Sequence, residues 1–161
     1  MKTMGKTIGK TAGFFAVATI GLLSACGSGG KSDAPAQPDQ TVQQLMVNEV
    51  QPTTEIYWGA VQYISDEDGD HDIFPQTDED WERARAAAVK ISEFGELLST
   101  PEYSQGRGDD WNDFANALIE VGQRAEQTTI DRSPEDVFEV GGIVYRVCQG
   151  CHLAYPPENM P

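Results

Sequence analysis

Positive charge is what this 161-residue chain has least of: 11 Lys and Arg stand against 26 Asp and Glu, for a formal net charge of −15 at pH 7. That balance makes nucleic acid a poor partner. It also slows approach to an anionic membrane and speeds encounter with a basic protein. Histidine is scarce, with only His71 and His152, and so is cysteine, with only Cys26, Cys148 and Cys151. A zinc site needs four ligands, usually Cys or His, and with Cys26 assigned elsewhere only His71 remains outside Cys148, Cys151 and His152, with acids to complete the set. No segment alternates convincingly enough for a strand, and no period repeats along the chain. The one long apolar run, TAGFFAVATIGLL, Thr11 to Leu23, is too short to span a bilayer comfortably.

What the amino terminus does have is order. Lys2, Lys6 and Lys10 precede the apolar run, the arrangement of a secretory signal. The run closes on LSAC, Leu23 to Cys26, which resembles a bacterial lipobox, cleaved before a cysteine that is acylated on its thiol. Cys26 is thus the expected lipidation site and mature first residue. GSGGKSDAPAQPDQ follows, a tether with nothing to bury. Residues 1–25 read as a lipoprotein signal peptide, 26–38 as a flexible tether and 39–161 as the folded domain. A lipid and a slack leash hold a domain near a membrane without inserting it. The small neutral Gly27 favours the outer membrane over the inner. Losing residues 1–25 removes three lysines and no acids, taking the charge from −15 to −18.

From about residue 39 the apolar residues recur at helical spacing in four runs. Val42, Leu45, Met46, Ile56, Ala60 and Ile64 line the first, which Pro52 is expected to kink. Trp81, Ala84, Ala88, Ile91, Gly95 and Leu98 line the second, which opens on the capping-box pattern TDED and stops at Thr100 before Pro101. Trp111, Phe114, Ala115, Leu118, Gly122 and Ala125 line the third. The fourth starts at SPED, with Ser133 as cap and Pro134 in the first helical position, and places Val137, Gly141, Val144, Cys148 and Cys151 on one face. The fold class is all-α, and the architecture expected is an antiparallel, up-and-down four-helix bundle. Its inward stripes hold many alanines and glycines. Small residues such as Gly141 and Gly142 suit either close helix packing or the approach of something bulky and apolar.

The chemistry concentrates in VCQGCHLAYPP, residues 147–157. On a helix, Cys148, Cys151 and His152 project from adjoining positions on one side. Two thiols so placed add to the two vinyl groups along one edge of a haem, and the next imidazole falls under the iron. Cys-x-x-Cys-His is the attachment signature of c-type haem. The alternatives are a zinc site, a dithiol and a structural disulfide. A redox dithiol prefers a helix start, where its thiol pKa is lowered, and a disulfide closing so small a loop stabilises little.

With the motif on the last of four helices, the domain resembles the class II c-type cytochromes, the cytochrome c prime family and its low-spin relatives. The resemblance is specific at VCQGCHLAY. It implies one covalent haem c per chain, thioether attachment at Cys148 and Cys151, His152 as proximal iron ligand and Tyr155 as the aromatic that often follows. Relatives often carry a basic residue next, where this chain has Pro156; Arg146 is an alternative source of positive charge for a propionate. In low-spin members a methionine of the first helix fills the distal iron position. Here Met46 lies 106 residues before His152 and is the candidate, since a His/Met pair suits electron transfer; Met160 lies too close to the motif to reach the opposite face. Family members often dimerise through their first two helices, although so acidic a surface opposes self-association.

The run SDEDGDHDIFPQTDED, residues 65–80, has the flavour of a calcium loop, but its glycine and closing acid are misplaced. It reads as a solvated acidic connection with His71 exposed. The expected function is that of a monohaem electron carrier at the periplasmic face, exchanging single electrons with basic partner proteins, and not an enzyme. A five-coordinate haem binding nitric oxide or carbon monoxide is the alternative, and a haem-free zinc or dithiol protein the second.

Overall fold

Helices dominate the computed structural model of the protein, which describes residues 38–157. All belong to the second of the chain's two units, Ala34–Pro161. The expected signal peptide, the expected lipidation site Cys26, all but the last residue of the expected tether, and Met160 lie outside the described residues. Within them the class is all-α but for one pair of short strands.

The first helical run is built in three continuous pieces: α1 (Val42–Leu45), a π turn (Met46–Val50) and α2 (Gln51–Ala60). Thr41 opens it with a reciprocal capping box to Gln44. Pro52 does not break the run, because the backbone widens just before it. Gln51 donates to Met46 O, five residues back, and the wider ladder ends at the one residue without an N–H to give. The extra residue per turn also shifts the buried stripe. Leu45 is followed by Val50, Thr54, Tyr57 and Val61 as the buried positions, one residue on from the regular spacing that selects Ile56, Ala60 and Ile64. Ile56 is accordingly 46 % exposed.

A second correction concerns the acidic connection. Residues 62–73 form a hairpin, β1 (Gln62–Asp66) paired antiparallel with β2 (Gly69–Ile73), with Ile64 opposite His71 and Asp66 opposite Gly69. Asp68 donates its N–H to Asp66 Oδ1 at 2.9 Å, and Gly69 takes a φ of +117° that a side chain would oppose. Only Ile64 is half-buried in the two strands, so they carry no alternation for a sequence to reveal. Tyr63 anchors the base through edge-on contacts with Phe138, at 4.9 Å, and Phe74, at 5.8 Å. His71 is exposed, 3.7 Å from Asp66.

The remaining helices follow their stripes. α3 (Asp78–Ser99) begins at the Thr77 capping box, whose hydroxyl together with Arg83 holds the Asp80 carboxyl down to about 2. The short α4 (Pro101–Ser104) leads to α5 (Asp109–Ile130), and α6 (Pro134–Ala154) starts on Ser133, which accepts from Asp136 N–H. α3 packs most extensively on α5, α5 on α6, and α2 on α3, while α2 touches α6 sparsely. Two glycines permit the α3–α5 contact. A Cβ on Gly122 would stand 2.8 Å from Ser92 Cα, and one on Gly95 would stand 2.7 Å from Ala115 O. The small inward residues of these helices therefore serve close backbone packing. No helix among the described residues is long and apolar enough to cross a membrane.

Candidate functional site

A cavity of about 260 Å³ opens between the π turn, α2, α5 and α6, with Leu98 of α3 behind it. Met46 and Val50 line it from the first run, and Val147, Cys148, Cys151 and His152 line it from α6. The motif and the methionine, remote in sequence, thus meet on one cavity. α6 carries Cys148 and Cys151 one turn apart, both half-buried with free thiols, while His152 is exposed at the rim. Met46 is half-buried and packs on the core.

The walls are apolar by construction. Trp58 donates its indole N–H to Gly141 O at 3.0 Å, and Trp111 donates its own to Leu98 O at 2.7 Å, so neither indole leaves a free polar group at the cavity. Phe114, Ala115 and Leu118 of α5 complete that side. Gly141 makes room for Trp58, because a Cβ there would stand 3.2 Å from its ring. Apart from the thiols and imidazole of α6, the polar lining comes from α2, where Gln51 donates to Glu55 at 2.9 Å and Thr54 spends its hydroxyl on Val50 O.

The thiols sit in an environment that keeps them protonated. Burial pushes both above the ordinary thiol range, and the neighbouring Cys148 pushes Cys151 further, against a smaller opposing pull from Arg107. Among the described residues no three His, Cys, Asp or Glu side chains are grouped so as to hold a metal ion.

Tyr155 closes the end of α6. Its hydroxyl donates to Asp110 Oδ1 at 2.5 Å, its N–H donates to Cys151 O, and its ring meets Trp111 edge-on at 5.0 Å. The cation beside this end is Arg107, stacked 4.0 Å over the Trp111 ring, while Arg146 is exposed on α6 and lines no part of the cavity. Spacing gave no sign of Arg107 or of Trp58, Gln51 and Glu55. The last three lie off the stripe drawn for a regular first helix, and allowing for the one-residue shift before Pro52 would have brought Trp58 next to the buried Tyr57.

The donor set fits a covalently held haem: two neutral thiols one turn apart, an imidazole on the next residue, and a thioether entering from another element, around an apolar space. No protein-family model matches the chain, and no curated protein or solved structure matches it.

Proposed function

We propose that residues 39–161 form an up-and-down four-helix bundle carrying one covalent haem c, and that the protein is a periplasmic single-electron carrier tethered by a lipid on Cys26. The observation that carries this reading is that Met46 lines the same apolar cavity as Cys148, Cys151 and His152. In this assignment Cys148 and Cys151 form the thioethers, His152 is the proximal ligand and Met46 the distal one. The haem supplies a reversible one-electron iron couple when bound, and its potential rises with a methionine ligand and a low-dielectric surround.

The chain's own residues would do the rest. Trp58, Trp111 and Phe114 exclude water from the cavity, and Tyr155 fixes the end of α6 against Asp110. Raised thiol pKa values favour this reading over an activated dithiol, which needs a lowered one. Partners would be proteins with a basic docking surface, given the net charge of −15.

The test is the optical spectrum and mass of the protein exported from cells that attach haem to c-type cytochromes. Expected are a c-type reduced spectrum that stays bound in denaturant, a mass increased by one haem, and no response to carbon monoxide. Met46→Ala should then bind carbon monoxide readily. A wild-type protein that already binds the gas would instead be a five-coordinate gas binder. A mature chain of bare polypeptide mass would end the proposal and leave the haem-free readings.

A further inference from the structure

Behind the cavity, on the other side of α2, lies a second concavity of about 350 Å³ formed by α2, the end of β2 and the start of α3. Its apolar lining comes from Ile56, Gly59 and Ala60 on one side and Ile73 and Phe74 on the other, and its charged lining from Glu55, Asp80 and Arg83, whose guanidinium is spent on Asp80 and leaves the groove with a net negative edge. Ile56 and Ile73 are 46 % and 42 % exposed. Glu55 lines both this groove and the first cavity, so the two are separated by a single helix.

Gly59 is the unexpected residue here. A Cβ on it would meet nothing within 4 Å, and its φ is not positive, unlike that of Gly69. Packing therefore explains Gly95, Gly122 and Gly141 but not Gly59, which forgoes up to about 1 kcal/mol of helix propensity relative to alanine. What its missing side chain does is leave the groove floor open. The groove adjoins the hairpin at Ile73, the last residue of β2, and the hairpin's strands and turn carry Asp66, Glu67, Asp68, Asp70 and Asp72 and no Lys or Arg. An apolar centre with a polar, charged rim is the anatomy of a protein interface.

We infer that this groove is a docking site for a basic protein that inserts an aliphatic side chain over Gly59, between Ile56 and Ile73, while its Lys and Arg residues meet the hairpin. Its use in electron exchange rests on the haem reading proposed above, because only then does a partner docked here stand one helix away from the redox centre. The position of the groove and the chemistry of its occupant do not depend on that reading.

The probe is a short synthetic peptide with one Leu flanked by Lys residues, titrated into the full-length mature protein and followed by amide NMR at two ionic strengths. Haem content is read beforehand from the absorbance of the same sample. Resonances of Ile56, Gly59, Asp70 and Ile73 should shift together, affinity should fall as salt rises, and a peptide with Glu in place of Lys should not bind. A Cβ on Gly59 has open space around it, so Gly59→Leu should fill the groove and weaken binding at least tenfold. Shifts scattered over the acidic surface, or unchanged affinity in Gly59→Leu, would overturn the inference. Groove binding by a sample without haem would keep the docking site and remove the electron carrier; haem without groove binding would do the reverse.

Discussion

Tyr57 is the largest side chain with no exposed surface among the described residues. Its hydroxyl lies 3.1 Å from Thr128 Oγ1 and donates to Val137 O at 3.3 Å, so one residue ties α2 to both α5 and α6. Burial pushes its pKa up to about 12, against a smaller lowering by Thr128. The phenol must stay neutral in the folded state, whereas the unfolded chain loses the proton near pH 10. Stability from this group is therefore complete below pH 10 and declines as pH rises from 10 to about 12, where the folded state holds the extra proton. The loss amounts to roughly 2 to 3 kcal/mol. Tyr57→Phe should be about 1 kcal/mol less stable than wild type at pH 7, and its deficit should vanish or reverse by pH 12. Urea unfolding of both proteins across that range measures the difference, and parallel curves would contradict the account.

The helices differ in how much of them the sequence discloses, and the cause is local. α3, α5 and α6 each keep one uninterrupted period, α3 and α6 carry a visible start at Thr77 and Ser133, and every stripe residue expected on the three is buried or half-buried. The first run hides its register, because the π turn inserts one residue that no period reveals. The hairpin is silent for another reason: strands exposed on both faces have no core side to mark. Cys148, Cys151 and His152 stand out in the sequence by residue type and spacing and Met46 through the family resemblance, and all four line one cavity; the rest of the cavity wall was not legible, since Trp58 is placed by the shifted register. If the π turn is an accommodation of Pro52, removing one residue from it should create a clash. Deletion of the exposed Asn48 turns the ladder back to four-residue spacing and sets the Pro52 ring against the Val47 carbonyl, at a cost of about 3 kcal/mol. Adding Pro52→Ala to the deletion should restore most of that loss, while Pro52→Ala alone should be near neutral. Unfolding midpoints of the three variants decide it, and a deletion harmless in the presence of Pro52 would show that the turn has another origin.

At the scale of the whole molecule the packing is uneven, and the unevenness coincides with the site. α3, α5 and α6 form a continuous stack closed by Gly95 and Gly122, but α2 rests mainly on α3 and meets α6 chiefly through Tyr57 and Trp58. The cavity is the gap left between them. Whatever fills it adds contacts between the first run and α6 beyond those made by Tyr57 and Trp58, because apolar walls without partner atoms lose dispersion and burial energy on both sides. A group fixed by covalent bonds to α6 and by a further bond to Met46 would join the first run to the last. Opening should therefore begin at α1–α2 when the group is missing. Hydrogen exchange measured on the loaded protein and on a Cys148→Ala, Cys151→Ala variant provides the comparison. In the variant, amides of residues 42–60 should exchange at least tenfold faster than those in the centres of α3 and α5, whose protection should change little. In the loaded protein the gap between the two regions should narrow. Protection lost uniformly over all the helices would mean that the stack itself depends on the cavity's occupant, and that α3 and α5 are not the independent core their glycine contacts imply.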